Sequence, residues 1–475
     1  MSGRATFRTL DKDLGRITHA EVAQMHAFRP VWRLGLSVLC LVGGLLLIMA
    51  LSDAAPAMLT VGAGLIVAGW LGIAIGSNDV ANSLGPAVGA GAIGLLPGLI
   101  LVALAGLAGS VLAGDEVTDR LARGVVELAP LSGAAEIPMV MLAALIAAAT
   151  WITLATGIGL PVSTSHSIVG GIAGAGAAAL GLQAVAWGTL GMIASVWVVT
   201  PIVAGVLAGG LLMLLRLKVL EAEDRGRAAL RWLPALVAAM GGLFAAYVML
   251  LLRLPSLALP VAAAAAAASY ANTRRNVLEE LAQHPRKPGV KRLLRPALLT
   301  SVVIMGFAHG ANDVGNIAGP LSVILRGRVI EGQIGLVPTL VLIGAGLSIA
   351  AGTLFFGRRL VNMVGSGITR LNTGRAFCVS LATAVTVLTA SGFGLPVSTT
   401  HVAVGGIFGV GFAREWLDRR RDRRPEALPA EETRRRILIR RSHVVTIMAA
   451  WLVTLPITGL LGALTSVLVL WVAAP

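Results

Sequence analysis

The chain has 475 residues, of which 56% are hydrophobic and only 13% charged, with a formal net charge of +15. A soluble protein of this length carries about a quarter charged residues, so the composition excludes a soluble globular domain and points to an integral polytopic membrane protein. The basic excess first suggests nucleic acid, but its placement argues against that partner. Lys and Arg gather in connectors, at 216–231, 274–295, 358–359 and 414–441, as they do in loops held on the cytoplasmic side of a bilayer.

Residues 1–33 are polar and mixed in charge, unlike a secretory leader with its short basic start. They are expected to form a cytoplasmic N-terminal segment. Apolar runs at 35–52, 57–75, 92–113, 137–158 and 232–252 are each about long enough to cross a bilayer core. The first belongs to an additional helix over 34–56, and Arg29 and Arg33 before it set the N-terminus in the cytoplasm. A first transport repeat is expected over 57–215. A linker over 216–296 follows, with a membrane hairpin of 232–252 and 255–270 between basic loops. A second repeat occupies 297–413, an arginine-rich cytoplasmic loop 414–442, and the terminal span 443–475, which Pro456 divides or merely bends. The count is about 12 crossing segments. Cys40 and Cys378 both lie in apolar runs and suggest neither a disulfide framework nor a metal site.

Duplication is written in three paired blocks. "IGSNDVANSLGPAVG" at 75–89 returns as "HGANDVGNIAGPLSV" at 309–323, and "GLPVSTSHSIVGGIAG" at 159–174 returns as "GLPVSTTHVAVGGIFG" at 394–409. Between them, "LAGDEVTDRLARGVVEL" at 112–128 pairs weakly with "FFGRRLVNMVGSGITRL" at 355–371. Counting spans from a cytoplasmic N-terminus, the Asn78–Asp79 motif is approached from outside. The Asn312–Asp313 motif follows a basic loop and is approached from inside. The middle blocks agree, with Asp115, Glu116 and Asp119 opposed to Arg358 and Arg359. Two halves inverted in the membrane are a recurrent architecture of secondary transporters, whose site lies at the midplane between the halves.

Each Asn-Asp motif sets an Asn three residues after its Asp: Asn78, Asp79, Asn82 and Asn312, Asp313, Asn316. On a helix the Asp and that second Asn share a face. A carboxylate in low dielectric must be paired, protonated or bound to a cation, and carboxylate with amide oxygen suits Na+ while the carboxylate alone can carry H+. The plainer reading, an Asn/Asp cap at a helix end, weakens because the motif occurs twice at matched places. Gly-Leu-Pro before the hydroxyl run ends one helix and opens another, placing Ser163, Thr164, Ser165 and Ser398, Thr399, Thr400 in the cap and first turn. Free backbone N–H groups and the positive dipole end make such a turn a site for an oxyanion. An ordinary N-cap is the plainer reading there, and pairing with Asn-Asp in both halves favours ligand binding. His166 and His401 orient the hydroxyl loop, carry protons, or are satisfied structural side chains. His309 has Ile75 as its counterpart and lies outside the symmetric minimum.

These phrases resemble the signatures of the PiT-type inorganic phosphate transporters, the Pho4 family, from about 57 to 413. The resemblance implies an all-α, inverted-repeat membrane transporter with two re-entrant or discontinuous helical hairpins and cation-coupled symport of phosphate. It implies that Asp79, Asn82, Asp313 and Asn316 hold the coupling cation, Na+ or H+. Ser163, Thr164, Ser165, Ser398, Thr399 and Thr400 would hold phosphate oxygens, with Asn78 and Asn312 assigned to the same anion. One departure stands out: where the family often has Glu in "F-x-x-E-L-A", "FCVSLATA" places Ser380. That removes a carboxylate from the candidate cation set and leaves Na+ and H+ both open. No cofactor, enzymatic step or ATP-binding Gly-x-x-x-x-Gly-Lys-Ser/Thr loop is expected, and the expected location is a bacterial inner membrane. Monomer and homodimer are both open. The rivals are a symporter of another oxyanion such as sulfate, a channel, and an intramembrane hydrolase using Ser163 or Ser165, His166 and Asp79 as a triad.

Overall fold

The computed structural model describes residues 35–44, 56–127, 136–157, 162–285, 288–326, 336–367, 371–421 and 441–473. The expected N-terminal segment, most of the arginine-rich loop (422–440) and the Gly159–Pro161 turn lie outside the described residues.

Sixteen α-helices carry the described chain. They are α1 Gly35–Gly44, α2 Pro56–Gly89, α3 Leu95–Ala113, α4 Asp115–Arg123, α5 Glu136–Gly157, α6 Thr164–Leu180, α7 Trp187–Leu215 and α8 Arg225–Leu251. The second half adds α9 Pro255–Gln283, α10 Val290–Leu293, α11 Arg295–Asp313, α12 Gly315–Arg326, α13 Leu336–Gly367, α14 Thr373–Gly392, α15 Thr399–Arg421 and α16 Arg441–Ala473. Among the described residues, nine segments are long and apolar enough to cross a membrane, supplied by α2, α3, α5, α7, α8, α11 with α12, α13, α14 and α16. The helices α6 and α15, which carry the hydroxyl phrases, are not among these nine. The protein is a helical polytopic membrane protein.

Helices dominate because a backbone in hydrocarbon must satisfy its own N–H and C=O groups within the segment. Pro201, Pro234, Pro260, Pro320 and Pro456 all sit inside helices, which neighbouring helices make tolerable in a membrane. Pro456 therefore does not divide the terminal span: α16 is one helix of 33 residues. The expected hairpin is α8 packed along α9, joined by a turn in which Arg253 takes a φ of 57°. The second repeat's last helix runs past the expected boundary at 413 to Arg421.

The halves are interlocked rather than side by side. Helix α2 packs along α13 of the other half, and its counterpart α11 packs along α3. In the same way α6 packs along α16, and its counterpart α15 along α7. Every contact in this set has a mate in which the halves change places, which is the packing signature of two-fold pseudo-symmetry. The crossings are close because Gly occupies them. A Cβ on Gly76 would strike the Ile349 carbonyl, and one on its counterpart Gly310 would strike the Gly106 carbonyl. Small residues let membrane helices approach backbone to backbone, where apolar burial gives no preference for helix over lipid. Both Asn-Asp motifs follow directly on these crossings and are thereby pressed toward the interior.

Candidate functional site

The first Asn-Asp motif lies inside the continuous helix α2, and the second straddles Val314, where α11 passes into α12 with helical dihedrals. Neither is a helix-end cap. Asp79 is 1% exposed and Asp313 fully buried. Together with His309 they form a cluster whose candidate ligand atoms all lie within 4.8 Å of one another. His309 Nε2 is 2.7 Å from Asp313 Oδ2, and its Nδ1 shares a hydrogen bond of 3.2 Å with Ser83 Oγ of the other half. Two carboxylates so placed in low dielectric require a positive charge or a proton among them. His309, with no counterpart in the first half, thus joins the centre through Asp313.

Asp79 collects oxygen and amide neighbours. Asn78 Nδ2 and Asn82 Nδ2 donate to its Oδ1 at 3.2 and 3.4 Å, and Thr164 Oγ1 donates to its Oδ2 at 3.4 Å. Asn82 Nδ2 also donates to Thr400 Oγ1 at 2.9 Å. The carboxylate of one half therefore touches the hydroxyl turn of its own half, and its companion Asn touches the turn of the other. Asn312 is turned differently. Its amide donates to Asp313 Oδ1 at 2.7 Å and to the Val397 carbonyl at 2.8 Å, while its Oδ1 accepts from Val397 N–H at 3.0 Å. Asn316 is fully buried, and neither its Nδ2 nor its Oδ1 meets a hydrogen-bond partner.

The hydroxyl phrases form two helix N-termini. Ser163 caps α6 with extended dihedrals (φ −87°, ψ 123°), accepting from His166 N–H at 3.2 Å. Ser398 does the same for α15, accepting from His401 N–H at 3.4 Å. Ser163, Thr164, Ser165, Ser398 and Thr399 are all buried. Ser165 Oγ donates across the halves to the Val397 carbonyl at 2.9 Å. The imidazoles of His166 and His401 meet between the two turns at a centroid separation of 4.7 Å, and His166 stacks on Trp197 at 3.6 Å. Trp197 Nε1 in turn donates to the Pro396 carbonyl at 2.9 Å. The structure thus brings the expected site residues into one inter-half region, in which the carboxylates and all the hydroxyls but that of Thr400 are buried, while Thr400, Asn78 and Asn82 are half-buried.

Three participants escaped sequence reading. Ser83 and the Val397 peptide lie inside the repeated phrases but nothing in the sequence marks a role for them, Trp197 lies outside them, and each acts through a partner more than 80 residues away. The hydrolase triad fails on geometry. Ser163 Oγ lies 2.6 Å from His166 Nδ1, but that ring stacks on Trp197 and tilts against His401, while Asp79 is bonded to Thr164 rather than to His166.

Interlocked pseudo-symmetric halves around a closed set of carboxylates, amides, hydroxyls and helix N-termini define a membrane transporter. The profile of the phosphate transporter family matches residues 75–462, and the chain belongs to that family, one of transporters and not of enzymes. A Helicobacter pylori relative that carries the name of a phosphate permease is 36% identical over 424 residues, covering 87% of this chain and 80% of its own. The inorganic phosphate transporter 2-1, chloroplastic, of Arabidopsis thaliana is 31% identical, covering 84% of this chain and 69% of its own. A solved structure titled the sodium-dependent phosphate transporter superposes with a TM-score of 0.73 at 31% identity, over 86% of this chain and 99% of its own.

Proposed function

We propose that this protein is a secondary active transporter that brings inorganic phosphate into the cell by symport with Na+. Its two repeats are inverted in a bacterial inner membrane, with the N-terminus and the basic connectors cytoplasmic. The observation that carries the reading is the convergence of two capped helix N-termini with the Asp79–Asp313 pair in one buried region. Phosphate is held by the N–H groups and hydroxyls of Ser163–Ser165 and Ser398–Thr400. The cation is held by Asp79 and Asp313 with Asn82 and Asn316. Hydroxyls and amides without a fixed positive charge bind the anion while letting it leave, and the halves rock to open the site to each side in turn.

Na+ is favoured over H+ by two supports. The structural neighbour of 31% identity is titled sodium-dependent, and the Asp79 and Asp313 carboxylates lie together in one buried cluster, with the Thr164 hydroxyl beside Asp79, oxygen ligands of the hard kind an alkali cation prefers. The imidazole on Asp313 and Ser380 in place of a carboxylate are the features that favour H+.

Labelled-phosphate uptake into proteoliposomes separates these readings. An inward Na+ gradient at equal pH is expected to drive accumulation above equilibrium, an inward proton gradient alone is not, and excess sulfate is expected not to compete. Accumulation driven only by protons reassigns the coupling ion. Sulfate competition at equal concentration reassigns the anion, and the absence of accumulation under either gradient rejects symport.

A further inference from the structure

The two halves match residue for residue at the site: Asn78 with Asn312, Asn82 with Asn316, Val162 with Val397, and Ser165 with Thr400. Their hydrogen bonds do not match. The Asn312 side chain grips the Val397 peptide through both its N–H and its C=O, at 3.0 and 2.8 Å. Asn78 keeps its bond to Asp79 at 3.2 Å, but no hydrogen bond joins it to Val162 among the described residues. Ser165 donates to the Val397 carbonyl at 2.9 Å, whereas Thr400 accepts from Asn82 at 2.9 Å and makes no bond to Val162. Asn82 thus has a partner in the opposite half, while its mate Asn316 is buried with neither amide atom bonded. The bonds to a hairpin all fall on the second one, at Val397 and Thr400, and none of their mates is made to Val162 or Ser165 among the described residues.

From this exchanged pattern we infer that Asn78 and Asn312 are positioning residues that take turns. Each grips the tip of its own half's hydroxyl hairpin in one of two conformations, and the structure shows the conformation in which the second hairpin is gripped. In the other conformation Asn312 releases Val397, and Asn78 takes the Val162 peptide. Thr400 then donates to the Val162 carbonyl, and Asn316 donates to Ser165 while Asn82 lets go of Thr400. The one-sided set of bonds to the Val397 peptide motivates this most strongly, and the unbonded amide of Asn316 agrees with it. A buried amide without a partner is costly, and the symmetry supplies the missing acceptor in Ser165, which now faces Val397. Hydroxyls suit the exchange because one oxygen can accept in one conformation and donate in the other. The inference rests on the alternating-access reading above and gives it an atomic switch: a grip on one tip excludes the same grip on the other.

The test is amide hydrogen exchange at the two tips, in lipid nanodiscs without phosphate or Na+. In the wild type the Val397 amide is expected to exchange more slowly than the Val162 amide. Asn312→Ala removes a grip present only in this conformation, so Val397 exchange should rise about tenfold while Val162 exchange falls. Asn316→Ala removes a bond made only in the other conformation, and Asn78→Ala removes the grip on Val162 made only there besides its bond to Asp79, so both should move the ratio the opposite way. The Asn78→Ala/Asn312→Ala double variant should return the ratio toward that of the wild type. Asn316→Ala breaks no bond in the present conformation, so it guards against a variant that simply fails to fold. Faster exchange at both tips in every variant overturns the inference, because that marks a merely structural role. So does an Asn316→Ala protein whose tip exchange is unchanged, because the cation role given to Asn316 above then accounts for its unbonded amide by itself. The measurement uses neither substrate. A wild type that takes up no phosphate would reject the transport reading and leave the exchange result legible.

Discussion

Asp79→Asn is expected to lower Na+-driven phosphate uptake by about two orders of magnitude while the protein still purifies as a folded species. The substitution keeps the volume but removes the charge and turns one of the two acceptor oxygens, which face Thr164 on one side and Asn78 and Asn82 on the other, into an N–H donor. Breaking a buried ionic set by deleting one member costs about 3–5 kcal/mol, and about 1.4 kcal/mol is tenfold in an equilibrium constant. The loss falls on cation binding, because the Asp79, His309 and Asp313 ligand atoms lie within 4.8 Å of one another and share whatever charge enters. Asp313→Asn is expected to be at least as damaging, since it also takes the partner from His309, 2.7 Å away. Initial uptake rates at several Na+ concentrations, with size-exclusion profiles as the folding control, check both variants. Uptake within about threefold of wild type and still driven by Na+ would remove these carboxylates from the coupling site.

Gly409→Leu is expected to destabilise the assembled protein by about 3 kcal/mol, the upper part of the usual range for forcing added methylenes into a filled interior. A Cβ on Gly409 would strike the backbone carbonyl of Gly205 where α15 crosses α7, and one on its counterpart Gly174 would strike the carbonyl of Gly459 where α6 crosses α16. Backbone cannot swing aside as a side chain does, so the helices must separate. The separation would displace Ser398–Thr400 at the head of α15, coupling a packing defect to the anion turn. Thermal melts read by size-exclusion should show a lowered midpoint for Gly409→Leu and Gly174→Leu. Gly188→Ala, where a Cβ meets nothing within 4 Å, should melt with the wild type. Equal midpoints for Gly409→Leu and Gly188→Ala would show that the crossing has slack.

Much of this was legible without coordinates, because the relevant physics is local. An apolar run about 20 residues long crosses a bilayer wherever it occurs. Gly-Leu-Pro before a hydroxyl ends one helix and caps the next, as Ser163 and Ser398 do through the N–H groups of His166 and His401. Duplication places the two halves on the same chemistry. Even so, local signals misjudge the ends of elements: α15 continues to Arg421 because an arginine-rich stretch forms helix readily once one turn precedes it. Pro456 also stays inside α16.

The sequence by itself determined that the chain is a duplicated membrane protein with two hydroxyl-capped helix openings and two Asn-Asp motifs set in apolar runs. Only the tertiary structure decided how these meet. Ser83 with His309, Ser165 with Val397, and Asn82 with Thr400 are separated by 226, 232 and 318 residues, and nothing in the local composition marks such pairs. Tertiary structure also decided that two near-identical phrases carry different hydrogen bonds. A repeated sequence specifies both arrangements equally. The packing of the halves sets the grip on Val397 and not on Val162.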